Sequence, residues 1–378
     1  MSPAVLPSHK AAVLYGQKDL RIEHRTAFPP QRGHAQVQLI ATGLCGSDLH
    51  YYQHGRNGDF ALRAPLVLGH ESAGVVTALG PGVKNLKVGQ RVAIEAGINC
   101  ATCNYCKTGR YNLCKDLRFA SSAKTFPHLD GTLQDRMSHP AHLLHPLPDN
   151  CTFDHGALAE PLSVIIHSSR RASLAPGQSV LVFGAGTIGL LACLYAKAHG
   201  ASHVVAVDIN PARLDFALAN SFCDAVHCLA PAERPKGSEE QLRRASETAA
   251  SVLEAFKHQQ GFDLVYECTG AEPCIQMAIH VAALGGTVML IGMGTRSTTL
   301  PLSAAATREV DVLGSFRYAN TYPQALAMLA EGKLEGVEKL VTHRFGLDET
   351  RRAFEMMGKG VDEQGQMVIK VVIGTGEQ

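Results

Sequence analysis

The chain has 378 residues, 46% hydrophobic and 18% charged, and its 35 Lys+Arg against 34 Asp+Glu leave a formal net charge of +1. That length suits two domains with sizeable cores, and the composition is that of a globular protein. The balanced charge gives no reason to expect nucleic acid or an anionic membrane surface as a partner, and no stretch is apolar for long enough to cross a bilayer.

The N-terminal run MSPAVLPSHKAAVLYG lacks the charged start and apolar core of a signal peptide, and GTGEQ at the other end carries no targeting address. The expected location is the cytosol. In a reducing compartment the 11 cysteines are not expected to form disulfides.

The first ~160 residues read as short strands and many turns. Alternation is visible in AQVQLIATG and in SAGVVTALG. Between them, GLCGSDLHYY carries Cys45, Ser47, Asp48, His50 and Tyr51, and Gly69-His70-Glu71 follows, with His70 25 residues after Cys45. Next come Cys100, Cys103, Cys106 and Cys114, spaced C-x2-C-x2-C-x7-C. Four thiolates at such spacings suit a closed, tetrahedral structural zinc site that staples a loop. An iron–sulfur cluster is the rival occupant. Unliganded cysteines do not fit a polar, Gly-containing loop.

Ala159-Glu160-Pro161-Leu162 closes this part of the chain. A lone His is more often structural and a lone Cys more often core. Together, one Cys, one His and one or two carboxylates make a mixed metal site with room for a water or an alcohol.

After Pro161 the pattern changes. SVLVFGAG is a buried-strand run, TIGLLACLYAKAHG a helix ending at Gly200, HVVAVDIN a strand and PARLDFALANS a helix. FDLVYECTG and GGTVMLIGMG are further strands, separated by the helix-like EPCIQMAIHVAAL. Strands alternating with helices imply right-handed βαβ units and a parallel sheet. In SEEQLRRASETAASVLEAFKHQQ, the residues Leu242, Ala249, Leu253 and Phe256 recur at helical spacing among charges, which predicts an amphipathic surface helix. Cys193 and Cys268 sit in apolar runs and read as small buried hydrophobes. There is no internal repeat.

Gly184-Ala185-Gly186-Thr187-Ile188-Gly189 fits GxGxxG, follows a strand, opens a helix and precedes a strand ending in Asp208. In that context it is a dinucleotide turn. Gly184 allows the tight turn, Gly186 lets backbone approach pyrophosphate, and Gly189 lets helix pack on sheet. The helix N-terminus supplies N–H donors to the phosphates. Asp208 is placed to accept the ribose hydroxyls and would repel a 2′-phosphate, which favours NAD over NADP. Arg213 is placed to flank the adenine, or is a plain surface residue.

GHE-x2-G-x5-G, from Gly69 to Gly80, resembles the zinc signature of the medium-chain dehydrogenases. With CGSDLHYY, the four cysteines, EPLSV, ECTGAE, REVDV, FRYANTYP and VTHRF, nearly the whole chain resembles their polyol (sorbitol, xylitol, L-arabinitol) branch. The resemblance implies an α/β protein: a GroES-like, β-rich catalytic domain from 1–165 and 305–378, and a Rossmann NAD-binding domain from 166–304.

It implies Cys45, His70 and Glu71 as catalytic-zinc ligands. Glu160 ligates the ion or holds its water. Tyr51, Glu160, Arg317 and Tyr318 would contact the polyol, with Phe60 and Phe316 walling the pocket. Ile188, Asp208, Arg213, Gly292-Met293-Gly294 and Phe316-Arg317 match NAD-binding positions, beside Gly184, Gly186, Thr187 and Gly189. Ser47 and His50 match a proton relay; a surface histidine is the other reading of His50.

Zinc would act as Lewis acid on a secondary alcohol whose hydride passes to NAD. The resemblance also implies a homotetramer. Tyr322 stands where the family often has Trp, a change expected to affect packing only.

Three functions stay in view. The first is a polyol dehydrogenase of sorbitol/xylitol type, with L-arabinitol 4- or galactitol dehydrogenase as the alternative. The second is another zinc secondary-alcohol dehydrogenase, acting on threonine or butanediol. The third is a non-catalytic regulator on the same fold.

Overall fold

The computed structural model describes residues 6–231, 235–294 and 297–374; the MSPAV start and the TGEQ end fall outside them. The chain divides into two compact units: 1–163 with 319–333 and 338–378, and 164–318 with 334–337.

The first unit is built on a mostly antiparallel sheet of seven strands among the described residues. The alternating run near residue 40 folds as the strand His34–Gly43, buried on nearly every residue because it lies inside the sheet. One edge of it pairs with Glu71–Leu79. The other edge is shared, first by Arg136–Pro140 and then by Lys370–Gly374. The zinc-signature glycines have a packing reason: a Cβ on Gly74 would strike the Gln38 carbonyl, and one on Gly80 the Gln31 carbonyl. Val37, Val76, Val92 and Ile94 pack together on this sheet, while Leu14, Leu44, Tyr51, Leu66 and Phe354 belong to a second core.

The second unit is a Rossmann sheet of six parallel strands among the described residues. Their order is Ala225–Cys228, His203–Asp208, Ser179–Phe183, Phe262–Glu267, Ala282–Leu290 and Asp311–Gly314. Ser179–Phe183 is buried throughout, as a central parallel strand covered on both faces must be. The charged run folds as the helix Ser238–Ala255, which puts Ala245, Ala249 and Val252 in the core, with Leu253 and Phe256 half-buried beside them.

Three readings shift. The pattern change at Pro161 is not an element boundary, since the helix Phe153–Arg171 carries Pro161 inside it. Proline lacks the N–H that would bind the preceding turn, and the helix tolerates that loss. The helix over 272–284 stops at Val281, because Ala282 leaves helical geometry and pairs with Phe262. The sixth parallel strand lies at Asp311–Gly314, beyond the expected boundary at 304, and the second unit runs on to 318.

Candidate active site

Cys45 caps the helix Gly46–His54, which ends at Gly55 in the left-handed conformation. His70 and Glu71 open the strand Glu71–Leu79, with Glu71 directly opposite Gly43. The turn before the helix and the start of the strand therefore converge. The ligand atoms of Cys45, His70 and Glu71 all lie within 4.8 Å of one another.

Asp48, fully buried, lies behind His70, its Oδ1 3.4 Å from Nδ1. It also accepts the Gly69 N–H at 3.2 Å and the Ser121 hydroxyl. Burial opposes its charge, but His70, Ser121 and Gly69 outweigh burial and hold its pKa below the ordinary carboxylate value. With Nδ1 facing Asp48, Nε2 is the nitrogen left for a metal. His70 is likewise pulled well above the usual imidazole value, against burial, by Asp48 and Cys45. That attraction for a proton marks a pocket of negative charge, and the donor set suits zinc.

Glu71 Oε2 binds Lys370 Nζ at 2.6 Å, both side chains almost wholly buried. A Cβ on Gly43 would strike the same carboxylate. Glu160 is buried on the helix Phe153–Arg171 and outside the three-residue ligand group. Its charge nevertheless acts on Lys370, alongside those of Glu71 and Cys45.

The turn of the second unit has the expected shape. Gly184 is at φ +96°, and a Cβ on Gly189 would overlap the Gly184 carbonyl. Gly186 caps the helix Thr187–Ala198 and faces open space. Asp208 Oδ2 accepts the Ala185 N–H at 2.6 Å and Oδ1 the Asn210 N–H at 2.8 Å, so it also pins the turn itself. Arg213 Nε is buried with no partner among the described residues, an orphan donor that a bound nucleotide would satisfy. Gly292 and Gly294 pack against Gly270. Phe316, Arg317 and Tyr318 follow the last strand, with the Arg317 guanidinium 4.9 Å from the Phe316 ring centroid.

The four knot cysteines also converge within 4.8 Å. Sulfur separations are 3.5 Å for Cys103–Cys106, 3.5 Å for Cys100–Cys114 and 3.9 Å for Cys100–Cys106. A zinc ion with bonds of ~2.3 Å needs tetrahedral sulfurs ~3.8 Å apart, so the spacing fits. Hydrogen bonds from Thr102 and Cys103 draw the Cys100 pKa down to about 6, while burial and the neighbouring sulfurs push Cys106 up to about 12. The loop is anchored by Tyr111, which donates to Glu95 at 2.6 Å and accepts the Asn320 N–H at 2.7 Å.

Two family models match: the alcohol dehydrogenase GroES-like domain over residues 31–149 and the zinc-binding dehydrogenase domain over 187–331. The chain belongs to the zinc-dependent medium-chain dehydrogenases. Members of that family that it resembles include bovine sorbitol dehydrogenase, 42% identical over 360 residues, 95% of each chain. A protein of Aspergillus terreus named Probable D-xylulose reductase A is 41% identical, over 92% of this chain and 95% of its own. Among solved structures, L-idonate 5-dehydrogenase from Escherichia coli matches with a TM-score of 0.85 at 28% identity, covering 99% of this chain and 100% of its own. As in its family, zinc and NAD are the cofactors.

For this dehydrogenase, Tyr51 is buried in the core with its hydroxyl accepting the Ala123 N–H at 2.9 Å, and Phe60 is half-buried against the same core. Ser47 is half-buried and His50 exposed beside His54. Tyr322 is buried, stacks on His145 and donates to the Ile94 carbonyl at 2.8 Å, so it fills a packing position. Cys193 is buried and Cys268 half-buried, and burial pushes both thiols well up, as inert core residues.

Sequence reading gave three residues no role in the site. Asp48 is three residues after Cys45, but its contact with His70 depends on the fold. Lys370 is 325 residues from Cys45 in sequence, and no local pattern ties it to the site. Glu267, in the ECTG run, accepts from Thr269 and Gly270 and shapes the loop on which Gly292 and Gly294 rest.

Proposed function

We propose that this chain oxidises a secondary hydroxyl of a sugar alcohol to the ketose, with NAD as acceptor. The observation that carries the reading is the convergence of Cys45, His70 and Glu71, with Glu160 buried on the same unit. One cysteine amid carboxylates makes a harder, more polar centre than thiolates alone, which suits a polyhydroxylated substrate. The names of the relatives point the same way.

When bound, zinc supplies the Lewis acidity that makes the alcohol easier to deprotonate, and NAD takes the hydride. Cys45, His70 and Glu71 hold the ion, while Asp48 fixes the His70 ring and its tautomer. Glu160 serves the ion or its water. Ser47 and His50, one turn beyond Cys45, carry the proton outward, and the exposure of His50 suits the outer end of such a path. Tyr51, Phe60, Phe316, Arg317 and Tyr318 contact the polyol. Gly184, Gly186, Thr187, Ile188, Gly189, Asp208, Arg213 and Gly292 to Gly294 bind NAD. Cys100, Cys103, Cys106 and Cys114 hold a structural zinc. A homotetramer in the cytosol completes the reading. Light scattering checks the tetramer.

The deciding assay is NAD reduction with sorbitol, xylitol, L-arabinitol, galactitol, threonine and butanediol. Turnover of sorbitol or xylitol is expected, and a panel in which no polyol reacts removes the function. Asp208→Asn keeps the shape at the end of its strand but removes the charge. Loss of charged hydrogen bonds is worth about 1.5–3 kcal/mol, so the NADP-to-NAD ratio of kcat/KM should rise about 10- to 100-fold. A wild-type enzyme that already prefers NADP refutes that role.

A further inference from the structure

Lys370 is 4% exposed, and its ammonium donates to Glu71 Oε2 at 2.6 Å and to the Leu44 carbonyl at 2.9 Å. Its strand, Lys370–Gly374, continues the hold: the Leu44 N–H donates to Val371, and Val372 pairs with Gly43. The end of the chain therefore grips both the residue before Cys45 and the carboxylate of Glu71.

A buried ion pair is a poor way to gain stability, since apolar residues of the same volume often serve as well or better. Fixed charge here has another effect. Glu71 offers a metal one carboxylate, and one of its oxygens is committed to an ammonium.

We propose that Lys370 is a positioning residue of the catalytic centre, which draws charge from Glu71 and so gives up metal affinity for stronger Lewis acidity. This rests on the reading of Cys45, His70 and Glu71 as the metal site. A cation beside the carboxylate weakens the field that attracts a divalent ion. It also leaves that ion less neutralised by its ligands, and so a better acid towards an alcohol. Removing Lys370 should reverse both effects together. A merely structural lysine would behave differently: its loss would loosen the site, so that zinc retention and turnover fall in step.

The test compares full-length Lys370→Met with wild type in a graded series of zinc chelator, with Cys45→Ala reporting the knot alone. The expected result is catalytic zinc held at least about tenfold more tightly, with kcat at least about tenfold lower. Weaker zinc retention, or unchanged kcat, overturns the proposal. Should Lys370→Met not fold, Lys370→Arg keeps the charge and must stay within about threefold of wild type in both readouts. A folded Lys370→Arg that releases zinc faster also overturns it. If wild type itself holds only one zinc per chain, the reading of the cluster fails and the inference with it. If wild type holds two and Lys370→Met matches it, only the inference fails.

Discussion

Cys45→Ala is expected to lower turnover at least about a thousandfold, about 4 kcal/mol of transition-state stabilisation, while the protein remains folded. Cys45 is half-buried and caps a helix through its backbone, so its loss opens no deep cavity. The three-residue group then has two members, too few for a catalytic zinc. Metal analysis should show zinc falling from about two to about one per chain, because the knot keeps its ion. A variant that keeps both zincs, or works within about tenfold of wild type, sinks the assignment. Glu71→Ala is the less clean probe. It would leave Lys370 buried without its counter-charge, and breaking one side of such a pair costs about 3–5 kcal/mol. Lost activity there would mix chemistry with stability.

Cys103→Ala should show the opposite pattern: stability goes first. The four sulfurs hold a loop that otherwise has short, half-exposed elements, Asn104–Lys107 and Tyr111–Leu113. Three thiolates bind zinc far less well, and metal binding at such a site is folding free energy for the loop. A loss of about 3 kcal/mol, at about 2–4 °C per kcal/mol for a domain of this size, lowers Tm by about 6–12 °C. The zinc content should again fall by about one per chain, and kcat at 25 °C should fall by less than about tenfold. An unchanged Tm with full zinc content would mean that the cysteines carry no metal. A collapse of kcat at unchanged Tm would place the knot in the chemistry instead.

Much of this protein follows from sequence alone, for physical reasons that are local. The nucleotide turn is legible because its glycines answer constraints within a single strand–turn–helix: Gly184 needs positive φ, and Gly189 must clear the Gly184 carbonyl. The knot is legible because four thiolates within 15 residues can meet in one loop. The zinc signature reports Gly74 and Gly80, where a neighbouring backbone leaves no room for a Cβ.

Other features exist only once distant segments pair. Proline normally ends a helix, so Pro161 misled as a boundary; packing carries the helix Phe153–Arg171 through it. The sixth strand, Asp311–Gly314, is four residues long and becomes a strand by pairing with Ala282–Leu290. Asp48 meets His70 because the helix Gly46–His54 and the strand Glu71–Leu79 begin close together. Lys370 meets Glu71 because the C-terminal strand pairs with Gly43, which in turn stands opposite Glu71. The two cofactors and the grouping of the candidate donors were legible in the sequence by itself, since each is written in short spacings. The Lys370 ammonium, 299 residues from Glu71 in sequence, was set beside those donors by sheet pairing, which no local pattern encodes.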